Sequence, residues 1–150
     1  MSAIKIALMA CKCYEFHAGG VAQILKNINR ILYACDISYR AHLSSSCEFP
    51  HQALGVVIGD ESIIGDRTVI RQNVTIGGKR VNGKFRCPRI GDDVMVGAGA
   101  VILGDIQIGN NVMIGANSVV LNDIPDNVTV VGAPAKIVKI HDNNKLREDA

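Results

Sequence analysis

The sequence predicts an all-β fold: a parallel β-helix wound from hexapeptide repeats, with a short helical cap at its N-terminal end. Three observations predict it. Aliphatic residues recur every six positions, at Ile58, Ile64, Ile70 and Ile76, and again at Ile90, Val96, Ile102, Ile108, Ile114 and Val120. Glycine often follows, as at Gly59, Gly65, Gly77, Gly91, Gly97, Gly109 and Gly115. A small or slender residue often stands four after the aliphatic one, at Ser62, Thr68, Val74, Val94, Ala100, Val112 and Ser118.

This period has a direct physical reading. A spacing of six puts successive aliphatic side chains on different faces of an α-helix, so no amphipathic stripe can form. A coil of three short strands puts them all inside. Each aliphatic side chain then stacks on its equivalents in adjacent coils, and the small residue fits a narrow bore. Glycine is expected to turn the corners.

Two interruptions break the period. From Ile76 to Ile90 the spacing is fourteen, so eight residues leave the coil as a loop within residues 77–89. Earlier, Ile37, Leu43 and Phe49 keep register, but the segment Pro50 to Val57 holds a three-residue excess. Insertions in repeat proteins usually map to functional loops.

The chain divides by pattern into three parts. Residues 1–35 form the helical cap, with one helix over 4–16 ended by Gly19-Gly20. A second helix carries Val21, Ile24, Leu25, Ile28, Ile31 and Leu32 at helical spacing. Residues 36–140 form the β-helix, with a last strand at Ile137 to Ile140. Residues 141–150 are a polar tail.

Composition supports a folded chain: 48% hydrophobic and 20% charged residues over 150 positions. A net charge of +2 gives no footprint for nucleic acid. No apolar run reaches the length of a membrane span, and the N-terminus has no signal-peptide pattern. The five cysteines, at 11, 13, 35, 47 and 87, have no framework spacing. They read as reduced thiols of a cytoplasmic protein. Cys11-Lys12-Cys13 lacks a second ligand pair, so no metal is expected.

Of the four histidines, His17 on a helix and His141 in the tail read as solvated, and His42 fills an exposed repeat position. His51 stands apart, in the irregular segment beside Pro50. Several stretches carry a resemblance: Asp36-Ile37, His51 with Gly55–Asp60, Gln72–Gly78, Cys87–Gly91, Gly97–Ala100, Ile114–Val120 and Val131–Lys136. From Asp36 to Ile140 the chain resembles the catalytic domain of serine acetyltransferases and the related O-acetyltransferases of bacterial polysaccharide synthesis.

The resemblance implies a left-handed coil and a homotrimer, with acetyl-CoA as co-substrate. It implies His51 as the general base that takes the acceptor's proton, and Asp36 as the carboxylate that orients the imidazole. Read without the resemblance, Asp36 is a capping residue after a helix. The resemblance places acetyl-CoA against the backbone at Gly78, Ala98 and Ala116, with Lys136 and Lys139 near the nucleotide phosphates. Read without it, these are small corner residues and solvated lysines. It places the acceptor near Arg86 and Cys87.

The chain departs from serine acetyltransferases where Pro50 replaces an aspartate and Cys87 replaces a histidine. Both of those residues contact the amino acid in that group. A sugar hydroxyl, as in capsule or exopolysaccharide synthesis, is therefore the expected acceptor, with serine as the alternative. A zinc enzyme of the γ-carbonic anhydrase type needs three histidine ligands, and only His42 and His51 lie in the coil. A non-catalytic scaffold is the remaining reading.

Overall fold

The computed structural model describes residues 2–141. The polar tail expected at 141–150 lies outside these residues, apart from His141.

Two helices open the chain, α1 (Ala3–Glu15) and α2 (Gly19–Tyr33). Short strands follow: β1 (Asp36–Ile37), β2 (His42–Leu43), β3 (Val57–Ile58), β4 (Ile63–Ile64), β5 (Val69–Ile70), β6 (Thr75–Gly77), β7 (Lys79–Val81) and β8 (Lys84–Arg86). Next come β9 (Arg89–Ile90), β10 (Met95–Val96), β11 (Val101–Leu103), β12 (Gln107–Ile108), β13 (Met113–Ile114), β14 (Val119–Val120), β15 (Val128–Val131) and β16 (Lys136–Ile140).

The chain visits three faces in turn. Face one is β1-β3-β6-β11-β14, face two is β2-β4-β9-β12, and face three is β5-β10-β13-β15-β16. Every pairing among the strands of the three faces up to β15 is parallel; β16 folds back antiparallel on β15, and β7 and β8, outside the three faces, pair antiparallel with each other. This is a three-sided parallel coil, mostly strand, with a short helical N-terminus.

The six-residue period sets the register. Ile37, Ile58, Ile76, Ile102 and Val120 stack on face one. Leu43, Ile64, Ile90 and Ile108 stack on face two, and Ile70, Val96, Ile114 and Val130 on face three. Nearly all are fully buried, as are the small residues Ser62, Thr68, Val74, Ala100 and Ser118. With no tryptophan in the chain, this column of branched aliphatic side chains is the core.

Both interruptions fall at corners. Ile37 pairs with Ile58, 21 positions on, whereas Ile58 pairs with Ile76, 18 on. Ile64 pairs with Ile90, 26 on. The eight extra residues do not form a loop as expected. They form the hairpin β7–β8, turned by Asn82-Gly83, both with positive φ (49° and 78°). A third change went unread: Ile114 pairs with Val130, 16 on, so the last coil is two residues short.

The corners are not turned by the glycines that directly follow the aliphatic residue, although Gly55 and Gly99 do adopt left-handed backbone at corners, with φ 69° and 70°. The left-handed residues at the position three after the aliphatic one are Glu61, Arg67, Asn73, Asp93, Gly99, Asn111, Asn117 and Asn127. The glycines answer to close approach instead. A Cβ on Gly97 would lie 2.5 Å from the Ala116 nitrogen, and one on Gly65 would lie 2.4 Å from the Gly91 oxygen.

One edge, between faces two and three, is tied by side chains. The Asp66 amide donates to Asp92 Oδ1 (2.8 Å), Asp92 to Asn110 Oδ1 (2.8 Å) and Asn110 to Asp126 Oδ1 (2.6 Å). Each side chain caps the corner amide of the preceding coil.

The cap departs from expectation in two places. Gly19-Gly20 begin α2 rather than ending α1, and His17 lies in the turn between the helices with φ 60°. α1 closes the coil with Ala3, Ile6, Ala7, Ala10 and Cys11, and the Cys11 thiol donates to the Ala41 carbonyl (3.3 Å). α2 buries Ala22 and Asn29, while Val21, Ile24, Ile31 and Leu32 are exposed.

Candidate functional site

The three-residue excess after Phe49 forms an arch at the edge between faces three and one. Pro50–Ala53 make a short 3-10 turn, and His51, Gln52 and Ala53 all carry left-handed backbone, with φ 55°, 58° and 58°. A left-handed conformation costs an L-residue about 1–2 kcal/mol, so three in a row need anchoring. Ala53 is buried, the Ala3 amide donates to Gln52 Oε1 (3.1 Å), and the Gly55 amide donates to the Ala34 carbonyl (3.0 Å). The arch thus presents His51 to solvent on a pinned backbone. Strain held in place by its surroundings is a mark of functional segments.

Asp36 opens β1, and its amide donates to the Val56 carbonyl (2.8 Å). Its strand therefore lies beside the end of the arch. The carboxylate is one-third exposed and meets two cations of α2: Lys26 Nζ at 2.9 Å and Arg30 at 3.6 Å. Among the described residues, no hydrogen bond joins Asp36 to His51.

Counted from the aliphatic residue, the second corner position holds His51 after Phe49, Gln72 after Ile70, Ala98 after Val96 and Ala116 after Ile114. All four lie on the edge between faces three and one. At the matching position of the edge between faces two and three, Asp66, Asp92 and Asn110 have their amides capped by the next coil. On the edge that carries His51, Ala98 is followed by Ala116 and Ala116 by Gly132, neither of which has a side-chain acceptor. Among the described residues, the amides of Ala98 and Ala116 meet no acceptor. Nearby, Gln72 Oε1 is buried without a partner. This edge therefore holds free backbone donors and an orphaned acceptor beside an exposed imidazole.

Gly78, Arg86 and Cys87 lie elsewhere, between faces one and two. Gly78 packs under the hairpin; a Cβ there would lie 2.3 Å from the Arg86 oxygen and 2.5 Å from the Cys87 sulfur. Cys87 is buried, and burial pushes its thiol pKa up. Arg86 reaches Asp105 at 3.7 Å. Lys136 and Lys139 are exposed on β16, opposite Val131 and Thr129.

The remaining histidines separate. His42 is exposed on β2, 3.9 Å from Glu61. His141, read as solvated, is instead buried and hydrogen-bonded to Thr129 Oγ1 (2.8 Å), locking the end of β16. Among the described residues, no group of three or more His, Cys, Asp or Glu is placed to hold a metal ion. No helix among them is long and apolar enough to cross a membrane.

Sequence reasoning missed Lys26, Arg30 and Gln72. The helical spacing of Lys26 and Arg30 was a signal, because an i, i+4 pair of cations shares one face. Its carboxylate partner lay beyond the helix.

The family described as bacterial transferase hexapeptide (six repeats) matches residues 87–122. The serine acetyltransferase of Synechococcus elongatus is 43% identical over 125 residues, 83% of this chain and 51% of that protein. The crystal structure of Neisseria gonorrhoeae serine acetyltransferase superposes with a TM-score of 0.87 at 40% identity, over 92% of this chain and 54% of that one. A serine acetyltransferase in complex with CoA gives 0.83 at 37% identity, over 91% and 55%. The chain spans about half the length of these relatives. They correct the expectation of a sugar acceptor, which rested on Pro50 and Cys87: these relatives are serine acetyltransferases, which supports the alternative acceptor, serine. Two contact positions carried less information than the whole coil. By its repeat and these likenesses, the chain belongs to the hexapeptide-repeat O-acetyltransferase family that includes the serine acetyltransferases.

Proposed function

We propose that this chain is an acetyl-CoA-dependent serine O-acetyltransferase, wound as a left-handed coil and working as a homotrimer. The observation that carries the reading is the edge on which His51 shares its repeat position with the free amides of Ala98 and Ala116. Free N–H groups flanked by small side chains suit an extended chain of amides such as the pantetheine arm, whose carbonyls accept from backbone donors. Lys136 and Lys139 supply positive charge for the nucleotide phosphates.

His51 is the general base. Its neutral imidazole takes the serine hydroxyl proton as the oxygen attacks the thioester carbon. The C–S bond then breaks, and the imidazolium returns the proton to the departing thiolate. Asp36 stabilises the charged imidazole. Arg86 and Cys87, for the acceptor, and Gly78, for acetyl-CoA, lie on a different edge of the same chain from His51, Ala98 and Ala116, so a complete site needs the edges of two copies. Apolar outward residues support such packing on faces one and three: Val57, Val101 and Val119, then Val69, Met95 and Met113.

Thioester loss is followed with acetyl-CoA and L-serine, against a panel of sugars. Serine-dependent release of CoA is expected, with O-acetylserine as product. Release that depends on a sugar but not on serine, or on neither, overturns the assignment.

A further inference from the structure

The helical cap touches the candidate catalytic pair at both ends. Lys26 and Arg30, one turn apart on α2, bracket the two carboxylate oxygens of Asp36: Nζ to Oδ1 at 2.9 Å, and the guanidinium to Oδ2 at 3.6 Å. Lys26 is only 25% exposed, so its pairing is the better shielded of the two. Among the described residues, Lys26 and Arg30 are the ion-pair partners of Asp36. Its strand partner on β3 is Val57, and its chain neighbours are the buried Cys35 and Ile37. At the other end of face one, Asp60 is taken by Ser38 and Arg40. The buried Cys35 thiol also feels the Asp36 carboxylate, and His51 stands on the arch whose end, at Val56, accepts from the Asp36 amide.

We propose that Lys26 and Arg30 are positioning residues for acyl transfer: they fix the Asp36 carboxylate and share its charge, so that α2 sets how strongly His51 holds a proton. This rests on the assignment of His51 and Asp36 made above. A carboxylate alone beside an imidazole favours imidazolium, which cannot accept the serine proton. Two cations on the same carboxylate weaken that pull and keep the imidazole neutral to lower pH. They also hold the carboxylate when the imidazole is uncharged and attracts it little.

The test uses the full chain. The pH dependence of kcat/KM for serine acetylation is measured in Lys26→Met, Arg30→Gln and the double variant. With the cations gone, the midpoint of the acid limb is expected to rise, by about half to one pH unit in the double variant given partial exposure. The KM for acetyl-CoA stays unchanged. Lys26→Arg keeps the charge and restores the wild-type profile. A second readout needs no turnover: the C2 proton of His51, titrated by NMR, moves in the same direction. An acid limb and a His51 titration that both stay in place overturn the clamp. So does a uniform loss of rate at every pH that Lys26→Arg also shows, which marks α2 as merely structural. Undiminished turnover in His51→Ala strikes the underlying assignment instead, and the clamp falls with it.

Discussion

The first residue of α1 and the neighbour of the candidate base are hydrogen-bonded: the Ala3 amide donates to Gln52 Oε1 at 3.1 Å across 49 positions of sequence. The carbonyl of the same Ala3 accepts from Asn29 Nδ2 at 3.1 Å. A path of two bonds thus runs from α2 through α1 to the arch. Gln52→Ala is expected to cost about 1 kcal/mol of stability. It should also lower kcat more than it raises KM, because a loosened arch misplaces the base without removing it. Steady-state kinetics beside a denaturant titration checks both.

His51→Ala should lower kcat by about 10²–10⁴-fold, the range for losing one positioned base. Acetyl-CoA affinity, measured by calorimetry, should hold, because the proposed mechanism has the imidazole act on the acceptor hydroxyl and not on the CoA arm. Asp36→Asn should cost less. His42→Ala, on another face, should be close to neutral, and equal losses in the two histidine variants would overturn the assignment.

Acetyl-CoA should raise the melting temperature by mass action on the folded state. The shift should grow with the logarithm of ligand concentration above the Kd. A melt that does not move at millimolar acetyl-CoA argues against the edge of Ala98 and Ala116 as the binding surface.

The corner at Asn117 has φ 55°. Asn117→Val puts a β-branched residue into that conformation and should destabilise by about 1–2 kcal/mol. Asn117→Gly should cost clearly less. Equal melting temperatures for the two would refute the assignment of the corner to backbone conformation.

Burial pushes the thiols of Cys11 and Cys47 up to about 11 from 9.0, with Glu15 adding to the first. The folded state then holds protons that the unfolded chain has already released. The stabilising term is full below pH 9 and is lost as pH rises towards 11. Thermal melts from pH 8 to 10.5 should show a steepening decline. Cys47→Ala should flatten it.

The repeat was legible because its period is physical: an inward side chain every six residues can be read in the order Ile58, Ile64, Ile70 without knowing any contact. The arch was legible as a break in that order. The hairpin β7–β8 was read only as a loop, although Asn82-Gly83 carries a two-residue turn signal. The short last coil was missed because Ile124 falls out of phase and its bridge to Ile108 shows only in space. The glycines misled because a close approach and a left-handed turn both select glycine, and only coordinates tell them apart. At the site, His51 was marked by its irregular segment. Lys26 and Arg30 were not, because their partner sits on the strand after the helix. The free amides were invisible for another reason: they depend on what the next coil lacks.

The edge ladder from Asp66 through Asp92 and Asn110 to Asp126 gives the coil a direction in time. Every rung takes its acceptor from the coil made later, at separations of 26, 18 and 16 positions. During synthesis each corner amide waits until the following turn has emerged, and Asp126 is the last latch to close. Removing the final coil would orphan Asn110 and leave its coil as a frayed end, and the damage would run backwards towards the cap. The chain is therefore expected to lose stability steeply when a few residues around Asp126 are removed.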